Sequence, residues 1–359
     1  MPLRKSSATL REEPPESATP SRKAEHLQIN IERDVAAKGV LAGFDAYRFV
    51  HRALPEIDFT DVDTSSSIFG RALAAPILIS CMTGGTPDAR RINRRLARVA
   101  QKSGFAMGLG SGRALLESPG TFDTFDVRAE APDVPLFANL GAVQLNKGYT
   151  VDDCRRLVEL VRADALVLHL NALQEAVQRE GDICFRGLLV KIERLCDDAG
   201  FPIVVKEVGW GIAPRDVRTL FDAGVAAVDL AGAGGTSWSE VERHRAAEQW
   251  RARVAGNFAG WGIPTAQALV EARRVAPTET LIASGGIRPG LDVAKALALG
   301  ADLVGIAGPF LRAAHESVER ARELARELVE TLRIAMFCTA ARTTAELKGT
   351  LVKTAQDGA

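Results

Sequence analysis

The sequence predicts an α/β protein built as one closed (β/α)₈ barrel, with an N-terminal extension and a long insertion after the sixth strand. Three observations predict it. Short, nearly continuous apolar runs recur eight times, each ending in a polar or glycine-rich turn, as parallel strands covered on both faces require. Two glycine turns stand in succession near the end of the chain, Gly285-Gly286-Ile287-Arg288 after the run Thr280 to Ala283, and Ala307-Gly308-Pro309 after Asp302 to Ile306. Such a pair after the seventh and eighth strands is where a barrel of this kind holds a phosphate, through backbone N–H groups and helix N-termini. Finally, 359 residues, 47% of them hydrophobic, can bury one large core or two modest ones, and the first of these admits a barrel although length alone does not choose it.

Residues 1–21, rich in Ser, Pro and charge, read as a disordered leader, which leaves 22–359 as the single domain. Arg22-Lys23-Ala24-Glu25-His26 follows, and Glu25 to Leu41 is weakly helical. Pro76 to Ile79 is the first strand, ending in Ser80-Cys81-Met82-Thr83-Gly84-Gly85, with a helix from Ala89 to Ser103. Phe105 to Leu109 leads to Gly110-Ser111-Gly112-Arg113. Val134 to Ala138 leads to Asn139-Leu140-Gly141, with a helix from Val151 to Val161. Asp164 to Leu168 leads to His169-Leu170-Asn171, with a helix from Phe185 to Ala199. Pro202 to Val205 leads to Lys206-Glu207-Val208-Gly209, with a helix from Ala213 to Ala223. Ala226 to Asp229 leads to the glycine cluster before Thr236. The stretch Trp238 to Gly262 carries three of the four tryptophans and is too long for an ordinary loop, so it reads as a lid or wall. After Leu311 a long helix is expected to about Ala345.

Composition excludes several classes. Lys+Arg and Asp+Glu both number 45, so no bulk charge points to nucleic acid or a membrane surface, and an anionic partner needs a local site. Cys81, Cys154, Cys184, Cys196 and Cys338 are scattered without a C-x-x-C pair, which suits a reducing cytoplasm and argues against a zinc module. No apolar run is long enough to span a bilayer, and the first residues have no apolar signal core. The glycine clusters at 108–113 and 232–237 carry Arg113 and Ser237 where a dinucleotide fingerprint needs its third glycine, and no G-x-x-x-x-G-K-[ST] loop occurs.

A barrel places Thr83, Ser111, Asn139, His169, Lys206 and Thr236 around one mouth. Lys206 is the only fixed positive charge in that ring, and a flat, polar, phosphate-tailed cofactor such as FMN needs such partners, with a lysine near the atom that gains negative charge on reduction. The structural alternative for Lys206 is an ion pair with Glu207 or another barrel carboxylate. His169 and Asn171 alternate and so share a side, with Gln174 and Glu175 just beyond. One carboxylate among neutral amides suits a hydrated Mg²⁺ completed by substrate phosphate oxygens; a solvated loop with a satisfied histidine is the alternative. No Ser-His-Asp or Cys-His spacing supports covalent catalysis.

These motifs closely resemble the FMN-dependent type 2 isopentenyl diphosphate isomerases. The marks run from Arg22 to the final helix: RK-x-EH at Arg22 to His26, MTGG at Met82, GS-x-R at Gly110, HLN-x-x-QE at His169 to Glu175, EGD at Glu180, KEVG at Lys206, GGTSW at Gly234, WGIPT at Trp261 and SGGIR at Ser284. SGGIR is shared with other FMN barrels, whereas HLN-x-x-QE with the N-terminal RK is specific. The resemblance implies interconversion of isopentenyl and dimethylallyl diphosphate. It implies flavin contacts at Cys81, Met82, Thr83, Ser111, Asn139, Lys206 and Thr236, and phosphate contacts at Gly286, Ile287, Arg288, Ala307 and Gly308. Substrate contacts fall on Arg22, Lys23, Arg113, His169, Asn171 and Gln174, with Glu175 on Mg²⁺; Gln174, Trp238 and Glu242 take the catalytic positions, the last two flanking the alkene. NADPH as the initial reductant of FMN and a homo-oligomer, tetramer or octamer, are further implications. The sequence departs from the family pattern at Gly112, where glutamine is common, at Arg179, where proline is common, and at Gly308. Two other readings stand beside this one. An FMN-dependent 2-hydroxy-acid dehydrogenase would need a histidine base and paired arginines, and only His169 is evident; an inactive flavin-binding scaffold would lack Gln174, Glu175 or Lys206.

Overall fold

The computed structural model describes residues 18–288 and 290–354. Eight strands close into a parallel barrel: β1 (Ile77–Ile79), β2 (Ala106–Gly108), β3 (Leu136–Gly141), β4 (Ala165–His169), β5 (Ile203–Lys206), β6 (Ala227–Asp229), β7 (Thr280–Ala283) and β8 (Leu303–Ile306). Each strand pairs with its neighbour in sequence. β8 returns to β1 with Val304 opposite Ile77 and Ile306 opposite Ile79, so the barrel keeps no free edge.

Period-two alternation explains the two cores. Leu78, Ala106, Phe137, Val167, Val204, Ala227, Ile282 and Leu303, one from each strand, pack together inside the barrel. Their neighbours, such as Ile77, Ile79, Leu166, Leu168, Ile203 and Val205, pack against the helices instead. A hairpin of Ser66–Ile68 and Arg71–Leu73 adds Ile68 and Leu73 to the interior cluster, and Phe69 lies 5.8 Å from Phe137 between ring centroids, which plugs the amino-terminal end of the barrel.

The helices are α1 (Ala18–Glu32), α2 (Pro87–Ser103), α3 (Arg113–Glu117), α4 (Val151–Val161), α5 (Ala172–Val177), α6 (Leu188–Asp198), α7 (Pro214–Asp222), α8 (Trp238–Arg245), α9 (Gln249–Gly256), α10 (Thr265–Val275), α11 (Leu291–Ala298), α12 (Gly308–Glu316) and α13 (Val318–Phe337). Their ends follow local chemistry. Thr86 caps α2 by accepting from Ala89 N, and Thr150 forms a capping box with Asp153 on α4.

Three expectations are corrected. Helix α1 begins at Ala18, inside the expected leader, whose residues 1–17 lie outside the described residues. It also stops at Glu32 rather than Leu41, because the chain beyond is drawn into tertiary pairing: Ser237 N donates to Val35 O and Ala37 N to Gly235 O. The expected long C-terminal helix is two, since Ser317 is extended (φ −158°) and its Oγ caps α13 by accepting from Arg320 N at 3.0 Å. The segment 351–353 then pairs antiparallel with 47–49.

Candidate active site

The carboxyl ends of the strands surround a cavity of about 580 Å³. Two positions beyond the apolar interior residues, the same inward face turns polar: Ser80, Asn139, His169, Lys206, Asp229 and Ser284 occupy the positions two residues after Leu78, Phe137, Val167, Val204, Ala227 and Ile282. Cys81, Met82, Thr83, Ser111, Asn139, Lys206, Thr236, Gly286, Ile287, Arg288, Ala307 and Gly308 all line this cavity. So do Arg22, Lys23, Arg113, His169, Asn171, Gln174, Glu175 and Trp238. Glu242 does not; it is 4% exposed and sits behind the wall.

At one end the wall is nearly bare backbone. Gly286 has φ +67° and a Cβ there would lie 2.6 Å from the Gly234 carbonyl carbon, while a Cβ on Gly235 would lie 2.5 Å from Gly286 N. The glycines thus let the two turns pack backbone against backbone at the cavity edge, where the N-terminus of α12 and Arg312 also line it and favour an anion.

On the floor, Lys206 Nζ donates to Glu207 O at 2.8 Å and stands 3.6 Å from Asp229 Oδ2; Asp229 Oδ1 accepts from Ser284 Oγ at 2.5 Å. The barrel-carboxylate alternative for Lys206 is therefore realised by Asp229, and the lysine still lines the cavity. The Glu207 carboxylate turns away, accepting from Val208, Gly209 and Trp210 N–H; burial nonetheless raises its pKa to about 7. Ser80 Oγ and Asn171 Oδ1 are buried on the cavity wall without a hydrogen-bond partner. Unsatisfied buried polar atoms are costly and mark a place for a polar ligand. The glycine-walled cradle, the unpaired Ser80 hydroxyl and the Lys206 ammonium together fit FMN.

The opposite side carries lysine, imidazole, amide and carboxylate side chains. Lys23 Nζ donates to Ser111 O at 2.7 Å; burial and the nearby Arg22 lower its pKa to about 7. Burial, with Lys206 and Lys23 nearby, lowers that of His169 to about 4. The imidazole is therefore neutral at pH 7, and with Asn139 Oδ1 as acceptor at 2.9 Å its proton is assigned to Nδ1, leaving Nε2 to accept. Asn171 Nδ2 donates to Gln174 Oε1 at 3.1 Å and to Glu175 Oε1 at 2.8 Å, and Glu175 Oε2 accepts from Asp182 N at 2.6 Å. That last bond needs Gly181, where a Cβ would lie 1.8 Å from Glu175 O. Among the described residues no group of three or more His, Cys, Asp or Glu could cage a metal; Glu175 is a single carboxylate beside the neutral amides of Asn171 and Gln174.

The sequence motifs contain His26 and Asp182 without giving them roles, and Gln178 and Arg245 lie outside them. Asp182 accepts from Arg113 Nη1 at 3.0 Å and Gln144 Nε2 at 3.2 Å and pairs with Lys147 at 2.8 Å, so it aims Arg113. Glu242 Oε1 accepts from His26 Nε2 at 2.8 Å and Gln174 Nε2 at 3.3 Å, and Oε2 accepts from Arg245 Nη1 at 2.7 Å. With its amide oriented to satisfy both neighbours, Gln178 donates to Glu242 Oε1 at 3.3 Å and accepts from Arg22 Nη1 at 3.1 Å. Burial would raise the Glu242 pKa, but His26 and Arg245 outweigh it and hold the carboxyl below its ordinary value. Of the departures from the family pattern, Gly112 packs so closely on Leu157 that a Cβ would lie 2.4 Å from Cδ1, and Arg179 is exposed.

The profile of the FMN-dependent dehydrogenase family matches residues 16–117 and 168–354. An isopentenyl-diphosphate delta-isomerase of Synechococcus sp. is 54% identical over 90% of this chain and 93% of its own length. Proteins of the same name from Nostoc sp. and Rickettsia bellii are 51% and 49% identical, over 89% and 91% of this chain and 92% and 95% of theirs. Among solved structures, a lactate oxidase of Pediococcus acidilactici aligns with TM-score 0.67 at 17% identity, over 94% of each chain. A flavocytochrome b2 variant with sulfite bound aligns at 0.66 and 20% identity, over 92% of this chain and 83% of that one. At such identities these two establish the barrel fold alone.

Proposed function

The chain belongs to the FMN-dependent dehydrogenase family and, within it, to the isopentenyl-diphosphate delta-isomerases, and from that premise we propose that it interconverts isopentenyl and dimethylallyl diphosphate at this cavity. The observation that carries the reading is that one cavity joins the glycine-walled cradle to the Lys23, His169, Asn171, Gln174 and Glu175 group. One half suits the cofactor and the other a diphosphate.

When bound and reduced, FMN supplies the acid and base that an unactivated alkene requires, because ordinary side-chain acids are poorly matched to that step at pH 7. Gly286, Ile287, Arg288, Ala307 and Gly308 would hold its phosphate; Cys81, Met82, Thr83, Ser111, Asn139, Lys206 and Thr236 would hold the rest. Arg22, Lys23, Arg113 and His169 would receive the diphosphate, and Glu175 would help hold a Mg²⁺ that neutralises it. An incoming diphosphate raises the pKa of both Lys23 and His169, so these groups take up protons as substrate binds. Gln174, fixed between Asn171 and Glu242, would orient the alkene end. The indole face of Trp238 on the same wall would stabilise a cation-like state, and α8 with α1 would exclude water. The reaction is redox-neutral, so the reading assigns NADPH to initial reduction only. A cytoplasmic homo-oligomer, tetramer or octamer, belongs to the same proposal; the exposed Trp250 and Trp261 support an apolar face for a second copy.

The test is anaerobic incubation of the protein with FMN, Mg²⁺, NADPH and isopentenyl diphosphate. Formation of the dimethylallyl isomer is expected. Oxidation of 2-hydroxy acids instead, or no turnover of either, would reject the proposal.

A further inference from the structure

Arg22 and Lys23 open a motif that ends in Glu25 and His26, and the last two carry no role in the account above. His26 lies one helical turn beyond Arg22 and Lys23 on α1, hence on the same face, and it also lines the cavity. Its Nε2 meets Glu242 Oε1 at 2.8 Å, and its ring edge meets Trp238 at 5.2 Å between centroids with an interplanar angle of 76°. Glu242 itself does not reach the cavity, so its influence must pass through the groups that touch it. On α1 and α8 these are His26 and Arg245; on α5 and the residue after it they are Gln174 and Gln178. Arg245 in turn faces Glu25 at 3.0 Å and Glu180 at 3.5 Å.

We propose that His26 is a positioning residue of the active site: it holds Glu242, and with it Gln174, through Nε2, and it sets the Trp238 indole toward the alkene through its ring edge. Packing alone would be served by an apolar side chain at this place. The donor aimed at a buried carboxylate that also receives Gln174 is what packing does not explain. The arrangement also makes the diphosphate anchor and the alkene wall parts of one unit, since Arg22, Lys23 and His26 share a helix. A substrate whose diphosphate orders that helix therefore orders the wall as well.

The inference rests on the isomerase reading for its kinetic arm only. In the full-length, FMN-loaded protein, His26→Gln keeps a nitrogen donor near the position of Nε2, and His26→Phe keeps a ring but no donor. Misplacing a catalytic group costs on the order of 10- to 100-fold in rate, so His26→Phe is expected to lower kcat by about that factor with KM and flavin content unchanged. The acid limb of its pH profile should move to higher pH, because Glu242 has lost a donor. His26→Gln should recover most of the loss. A wild-type kcat in His26→Phe, or equal losses in both variants with an unmoved pH profile, would overturn the proposal. The second arm needs no substrate: ¹⁵N-histidine spectra of the flavin-loaded protein should show the His26 ring signals shifted by Glu242→Gln. Unshifted signals would also overturn it, whereas shifted signals in a protein without isomerase activity would support the His26–Glu242 unit and reject the isomerase reading.

Discussion

The two ends of the barrel are made by the same strands and differ in almost every property. At the amino-terminal end Leu78, Phe137, Val167, Val204 and Ile282 meet Ile68 and Leu73 of the hairpin in a dry cluster. Two positions further along the same face stand Ser80, Asn139, His169, Lys206 and Ser284, around the cavity. Because side chains repeat every second residue, a strand becomes chemically active by changing one inward position at its end, leaving the apolar layer beneath untouched. Stability is thus concentrated below and chemistry above, and the two can be perturbed separately.

The largest expected effects set one end against the other. Lys206→Ala removes the cation beside Asp229, whose side chain is 2% exposed; leaving a buried charge unpaired costs about 3–5 kcal/mol, and FMN should be lost as well. Phe137→Ala, at a fully buried ring, should also cost about 3–5 kcal/mol, yet the folded fraction should bind FMN at the normal stoichiometry. Urea unfolding with flavin absorbance per chain measures both, and loss of flavin from the Phe137 variant would break the comparison. Next in size, Gln174→Ala should lower turnover by about 100-fold or more while the protein stays yellow; a colourless variant would place Gln174 in flavin binding instead.

Acid provides a gentler probe of the polar end. The folded His169 pKa of about 4 lies below the ordinary 6.5, so the unfolded chain takes up the proton first as pH falls. Stability should be unaffected above pH 6.5 and fall by up to about 3 kcal/mol between pH 6.5 and 4. His169→Asn should flatten that part of the curve in urea titrations, and Phe137→Ala should not. The smallest effect concerns Lys23, which is about half protonated at pH 7. Diphosphate binding at that pH should take up a fraction of a proton, seen by calorimetry in buffers of differing ionisation enthalpy, and Lys23→Met should reduce the uptake.

The barrel was legible in the sequence because its strands are short apolar runs whose ends are marked by glycine and polar residues; Val151–Val161 and Thr280–Ala283 match to the residue. Helix ends set by distant partners were not. Nothing local says that the chain after Glu32 will pair with residues 235–237, or that Ser317 will interrupt a run of good helix formers. The site shows the same division. His169, Asn171, Gln174 and Glu175 lie within one short motif and could be read together. Asp229 closes an apolar strand with no local cue that its carboxylate meets Lys206. The pairing of His26 with Glu242 joins residues 216 apart in sequence, a contact that only the closed fold creates.

The same closure shapes how the chain must acquire its fold. Strand β1 finds its last partner only in β8, roughly 230 residues later, and such distant pairings are slow to form. Until β8 has emerged from the ribosome, β1 presents an unpaired apolar edge of the kind that invites mispairing with other chains. The hairpin at 66–73 is synthesised just before β1, and its Ile68 and Leu73 share the interior cluster with Leu78, so it is the element placed to cover the inward face of that strand while it waits.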